Sequence, residues 1–139
     1  MKLTLFSVEE TNQMLSEIRP AIERLVQAKR DFDRLERRAD VLSLAASGAV
    51  EGNPDAEELR RVLESRKVLG ERIRKGIEAI HGRGPLVKDL DRGLIDFYSI
   101  SGDRLIFLCW QLGENEIEHW HSLEGGFGNR QPLNRTELE

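Results

Sequence analysis

The chain has 139 residues, 39% hydrophobic and 33% charged, with a net charge of −4. That length suits one domain with one core, and no apolar run approaches the roughly 20 residues that cross a bilayer. Bases and acids nearly balance over residues 16–46 (seven against six) and 51–81 (seven each), and five bases face ten acids from Leu86 onward; without a clustered basic face, nucleic acid is not an expected partner.

The opening MKLTLFSVEE lacks a cationic start followed by an apolar core, which predicts a cytoplasmic chain. Leu3, Leu5 and Phe6 alternate loosely and predict a short N-terminal strand. Ser7 then begins S-V-E-E, a capping box: the Ser7 hydroxyl accepts an amide of the first turn while Glu10 reaches back to the Ser7 amide. A helix is expected from Val8.

Apolar residues recur every three or four positions from Leu15 through Ile18, Ile22, Leu25, Ala28, Phe32, Leu35, Ala39 and Leu42 to Ala46, set among charged residues. This is the stripe of an amphipathic helix. Pro20 interrupts it by removing the amide that would bond the Ser16 carbonyl, so the helix kinks there or divides in two. The stripe stops at SGAVEGNPD, which reverses the chain.

Asp55 is the expected cap of a second helix, with Glu58 at its third position. Leu59, Val62, Leu63, Leu69, Ile73, Ile77 and Ile80 form its apolar face. At 1.5 Å per residue the two helices span about 58 and 40 Å, so the excess of the first must pack on something else. Narrow faces near coiled-coil spacing, on a hairpin so long for the chain, predict a homodimer through the long helices. HGRGP ends the second helix, and His81 in its last turn is accounted for by a carbonyl bond or the helix dipole.

LIDFYSI and LIFLCWQL flank Gly102 and Asp103 and read as a β-hairpin with a two-residue turn. Counting outward pairs Ser101 with Arg104, Ser99 with Ile106, Phe97 with Leu108 and Ile95 with Trp110, an almost wholly apolar face. The other face pairs Ile100 with Leu105, Tyr98 with Phe107 and Asp96 with Cys109. Asp96 is out of place there, because a carboxylate among apolar neighbours needs a partner. A backbone amide, Arg92 or Arg130 would suffice; the functional alternative is a metal ligand or proton acceptor beside the Cys109 thiol. Cys109, the only cysteine, reads by itself as a small buried hydrophobe in a reducing compartment.

After Gly113 breaks the strand, ENEIEHWHSL predicts a short helix with Glu114, Glu116 and Glu118 near its positive end. On a helix His119 and His121 point about 200° apart, whereas on an extended segment they share a face. His121 is the expected site histidine, since Ile117 and Trp120 hold the surface beside it. EGGFGNRQP closes the segment with glycines around Phe127 and a planar fork on Arg130 suited to a carboxylate or phosphate; neither GxGxxG nor a P-loop is present. The final NRTELE is polar and expected to fray.

The motifs KDL, RGLIDF, LCWQLGE, I–WH and GF–R–PL, in that order after the capped FSVEETNQML helix, resemble a prokaryotic family called domain of unknown function 2203. The resemblance covers nearly the whole chain and is strongest from Leu86 to Leu133. Its matching positions are Gly93, Asp96, Phe97, Cys109, Trp110, Gly113, Glu114, Trp120, His121, Gly126, Phe127, Arg130 and Pro132. It implies this architecture and a prokaryotic, cytoplasmic setting, and no particular activity.

The sequence therefore predicts a mostly helical α+β single domain over residues 1–139. A long antiparallel hairpin over 8–81, kinked near Pro20, would carry a β-hairpin head with a short helix and loop over 86–133. The leading functional expectation is a non-enzymatic interaction or ligand-binding module, dimeric through its helices and open to a protein partner or a small ligand at Asp96, Glu114, His121 and Arg130. The alternative is a small metal-dependent enzyme. It would hold a divalent metal through Asp96, Glu116 and His121, with Glu114 as a further ligand and Arg130 as an anion clamp.

Overall fold

The computed structural model describes residues 3–47 and 52–133. Residues 48–51 of the expected reversal and the polar end from 134 onward lie outside these. Two long helices, α1 (Val8–Ala45) and α2 (Pro54–His81), precede five short strands: β1 (Leu86–Asp89), β2 (Leu94–Ser101), β3 (Arg104–Gln111), β4 (His119–Ser122) and β5 (Gln131–Pro132). The strands form one antiparallel sheet in sequential order.

Helix α1 begins as its sequence dictates, with the Glu10 amide donating to Ser7 Oγ at 3.1 Å and the Ser7 amide donating to Glu10 Oε1 at 3.0 Å. It continues through Pro20 as one helix of 38 residues. Proline removes one amide from the ladder, and the residues on either side retain enough bonds to keep the helix in one piece.

Helix α2 is capped two residues earlier than expected. Asn53 Oδ1 accepts from the Asp55 and Ala56 amides at 2.8 and 3.4 Å, and Pro54 takes the first helical position. Its missing amide would have been unpaired there anyway, and its ring presets the helical φ.

The helices pack antiparallel, and Arg38–Glu58 and Arg66–Glu36 ion pairs at 2.9 and 2.8 Å join them along their outer half. At the inner end Arg83 meets Glu17 at 2.7 Å, so the first turns of α1 run on past the end of α2. That overhang answers the length mismatch: it lies on the sheet. Leu15, Ile18, Ile22 and Val26 of α1 and Ile73 and Ile80 of α2 join Ile95, Phe97, Ile106, Leu108 and Trp110 in one buried cluster. Asn12 Oδ1 accepts the Ile117 amide at 2.7 Å, and Arg19 donates to the Asn115 carbonyl at 2.6 Å. The overhanging turns thus also hold the β3–β4 connection.

The β2–β3 register is the one counted from the turn, from Ser101 opposite Arg104 to Ile95 opposite Trp110. Gly102 takes a φ of 63° at the tip while Asp103 stays at negative φ, so the turn requires glycine only at its first position. Gly93, with a φ of 65°, is needed for a different reason. A Cβ there would lie 2.5 Å from the Leu112 Cβ, and only glycine lets the entry to β2 close against the exit of β3.

Two local expectations are corrected. Residues 3–7 form no strand; one bond from the Phe6 amide to the Tyr98 carbonyl, at 2.8 Å, ties this segment to β2. The segment expected to be a short helix near His121 contains strand β4 instead, with Cys109 opposite His119 and Phe107 opposite His121. A bare edge of β3 offers a full ladder of hydrogen bonds, which outweighs the weak helical preference of ENEIEHWHSL. The only helical turn in the head, among the described residues, is a 3-10 turn at Phe127–Asn129.

Candidate functional site

The strand character of β4 changes the geometry of the head. Side chains alternate along strands, so the face turned away from the helices collects Asp96 and Tyr98 from β2, Phe107 and Cys109 from β3, and both His119 and His121 from β4. Phe107 packs at a tilt between Tyr98 and His121, with ring centroids 4.6 and 5.4 Å away. The Lys88 ammonium lies 4.6 Å from the Phe107 ring centre.

Asp96 and His121 meet across β3. The His121 Nε2 atom is 3.1 Å from both carboxylate oxygens of Asp96, and its Nδ1 is 2.7 Å from the Ser122 carbonyl oxygen. Each side chain is 3% exposed, so neither meets bulk solvent. The acid's partner is therefore a histidine; Arg92 and Arg130 are both engaged elsewhere, with their guanidinium carbons 4.8 and 5.0 Å from the Phe127 ring centre. Cys109 lies beside the pair, and one donor atom each from Asp96, Cys109 and His121 lies within 4.8 Å of the other two.

A second group forms at the rim. Glu114 Oε1 accepts from the Gln111 amide and from Arg130 Nη2, both at 2.6 Å. Arg130 Nη2 also donates to the Cys109 carbonyl at 3.2 Å. The other Glu114 oxygen, Oε2, is 3.2 Å from His119 Nδ1, yet that nitrogen makes no hydrogen bond. Glu114, Glu118 and His119 also bring one donor atom each within 4.8 Å of the others.

The four residues expected to bind a ligand thus fall into two neighbouring pairs, Asp96 with His121 and Glu114 with Arg130. Glu116 is exposed and belongs to neither three-residue group; the third donor grouped with Asp96 and His121 is Cys109. Glu118 and His119 were not expected in the site. Their signal was the alternation in HWHS, which places both histidines on one face once the segment is extended.

Cys109 is completely buried. Burial first, then the neighbouring charge of Asp96, pushes its thiol from the ordinary 9.0 up to about 12, with Arg130 partly opposing. A raised thiol pKa means that the folded chain holds this proton more tightly than the unfolded chain does. The associated stability is whole below pH 9 and is lost as the pH climbs toward 12. In the folded metal-free protein at pH 8 we expect roughly a thousandfold less thiolate than for a free cysteine and no alkylation before unfolding. The urea midpoint above pH 9 should fall more steeply for wild type than for Cys109→Ser. Rapid labelling of folded protein would show an open, ionisable thiol instead.

A model of one protein family, described as an uncharacterized conserved protein (DUF2203), matches residues 4–133. No curated protein and no solved structure matches the chain.

Proposed function

Since the chain belongs to this family of uncharacterized conserved proteins, whose description names no reaction, we propose from its geometry that it is a non-enzymatic interaction module whose helical hairpin pairs with that of a second copy. The observation that carries this is a groove along one flank of the hairpin. A cleft of 370 Å³ between the helices is floored by Ala21, Leu25, Ala28, Gly76 and Ala79. A second cleft, of 330 Å³ and sharing Arg72 with the first, extends it past Leu35, Val68 and Leu69. Small residues at the base allow a helix to approach closely, and Glu17, Arg24, Glu64 and Arg72 supply both signs of charge at the edges. A second hairpin has the matching length, apolar face and mixed charge, and pairing would cover Val68, which is 52% exposed. Four helices would then bury a stripe that two cannot.

The head supports binding better than catalysis. Arg130, the expected anion clamp, is 12% exposed and already held by Glu114, so it is not free to meet a substrate.

Sedimentation equilibrium tests the interface. We expect a dimer whose Kd rises more than tenfold, about 1.4 kcal/mol, in Val68→Lys and in Ala79→Arg. Both positions are exposed, so the variants should keep the fold. A wild-type chain that stays monomeric at high concentration, or a dimer unaffected by both changes, would overturn the proposal.

A further inference from the structure

We propose that Asp96, Cys109 and His121 form a binding site for a transition-metal dication of the zinc class, held between β2, β3 and β4 on the sheet face opposite the helices. This goes beyond the hairpin interface and does not depend on it. It replaces the exposed Glu116 with a buried thiolate.

The two nitrogens of His121 have different surroundings. The Ser122 carbonyl oxygen is an acceptor only, so Nδ1, 2.7 Å away, carries a proton. In a neutral imidazole Nε2 then presents a lone pair, and it faces two carboxylate oxygens, each at 3.1 Å. Acceptor opposes acceptor between two side chains that are each 3% exposed, and a cation lying between them resolves the clash. A proton satisfies that condition, but a charge-assisted N–H···O bond usually closes to about 2.7–2.9 Å on one oxygen. Two equal, longer separations resemble the edges of a coordination polyhedron, since N and O donors roughly 2.0–2.2 Å from one zinc ion sit somewhat over 3 Å apart.

Cys109 decides the class of cation. Its sulfur shares the position with the other two donors, and a thiolate with an imidazole and a carboxylate selects zinc, cobalt or ferrous iron over magnesium or calcium. The charges close as well: one carboxylate, one thiolate and one neutral imidazole sum to −2, which a dication cancels, and a buried site requires that balance. The Nδ1 bond to a backbone carbonyl is the outer contact that usually orients a metal-binding histidine. Arg130, the cation closest in effect to the thiol, has its charge offset by Glu114 at 2.6 Å. Binding is then a balanced exchange. One dication enters, and two protons leave: that of the Cys109 thiol and that shared between His121 Nε2 and Asp96.

Asp96, Cys109 and His121 are 2%, 0% and 2% exposed, so the metal enters while the chain folds, and the test refolds the full-length protein. Protein stripped by chelator in denaturant is refolded with cobalt(II), dialysed and examined by absorption and metal analysis. We expect one cobalt per chain and a thiolate-to-cobalt charge-transfer band that disappears in Cys109→Ser. The affinity loss in that variant should be at least the ~10–100-fold typical of removing a metal's outer partners. Refolding of wild type with zinc, which needs no variant, should release two more protons per chain than refolding at the same pH without metal. Cobalt bound without the charge-transfer band, or equally well by Cys109→Ser, would overturn the proposal, since the Cys109 sulfur would then not be a ligand. Refolded protein that retains neither metal would overturn it too, leaving a proton between Asp96 and His121.

Discussion

Replacing His121 by alanine should destabilise the metal-free chain by about 3–5 kcal/mol, the usual cost of removing one partner from a buried ion pair. The side chain touches Asp96 at 3.1 Å and Ser122 at 2.7 Å, and it packs beside the Phe107 ring. Without it the Asp96 carboxylate, 2% exposed, keeps only its hydrogen bond with the Cys109 thiol. A paired control separates the charge from the packing. In Asp96→Leu with His121→Phe both polar groups disappear together, and most of the stability should return, because apolar replacements of buried pairs are often neutral or favourable. Urea unfolding followed by circular dichroism measures all three chains. A loss below about 1 kcal/mol in His121→Ala, within the range of an exposed pair, would mean that water reaches Asp96.

The same pair shows which parts of the site are legible in the sequence. The β2–β3 pairing can be counted because the strand period is two and Gly102–Asp103 fixes the origin; a one-residue slip would expose Phe97 and Trp110. Asp96 stands out because a carboxylate in an apolar strand demands a partner, and that demand is local. The identity of the partner is not local: His121 arrives by way of β4, 25 residues later. On the expected helix, His121 would owe its place to the shelter of Ile117 and Trp120. It reaches Asp96 for another reason, that β4 turns it onto the Asp96 face.

The rim is harder to read for the same cause. Three glutamates after a glycine look like the start of a helix, and the sequence does not say that the Glu114 carboxylate already accepts the Gln111 amide and Arg130. These bonds stabilise a tight connection after Gly113, whose φ of 109° suits glycine, and the chain is redirected into a strand. The long hairpin is legible because its stripe repeats over ten positions. Asn53 displaces Asp55 as the cap because Pro54, a favoured first helical residue, starts α2 ahead of Asp55.

Trp110→Ala should be as damaging as loss of His121, by about 3–5 kcal/mol, and for a reason that reaches the rim. Trp110 is fully buried in the cluster between sheet and helices, and its indole N–H donates to the Glu114 carbonyl at 2.9 Å. The Arg19 guanidinium lies 5.7 Å from its ring centre and bonds the next carbonyl, of Asn115, at 2.6 Å. One side chain thus joins α1, β3 and the turn that positions Glu114. Trp110→Phe separates these roles: it keeps most of the buried ring and leaves the Glu114 carbonyl without its donor, at about 1–3 kcal/mol. If the indole anchors the turn, Trp110→Phe should also speed hydrogen exchange at the Gln111 and Ile117 amides, whose acceptors are Glu114 Oε1 and Asn12 Oδ1, while the amides of α2 stay protected. Equal exchange at those two positions in Trp110→Phe and wild type would show that Arg19 and Asn12 hold the turn without the indole.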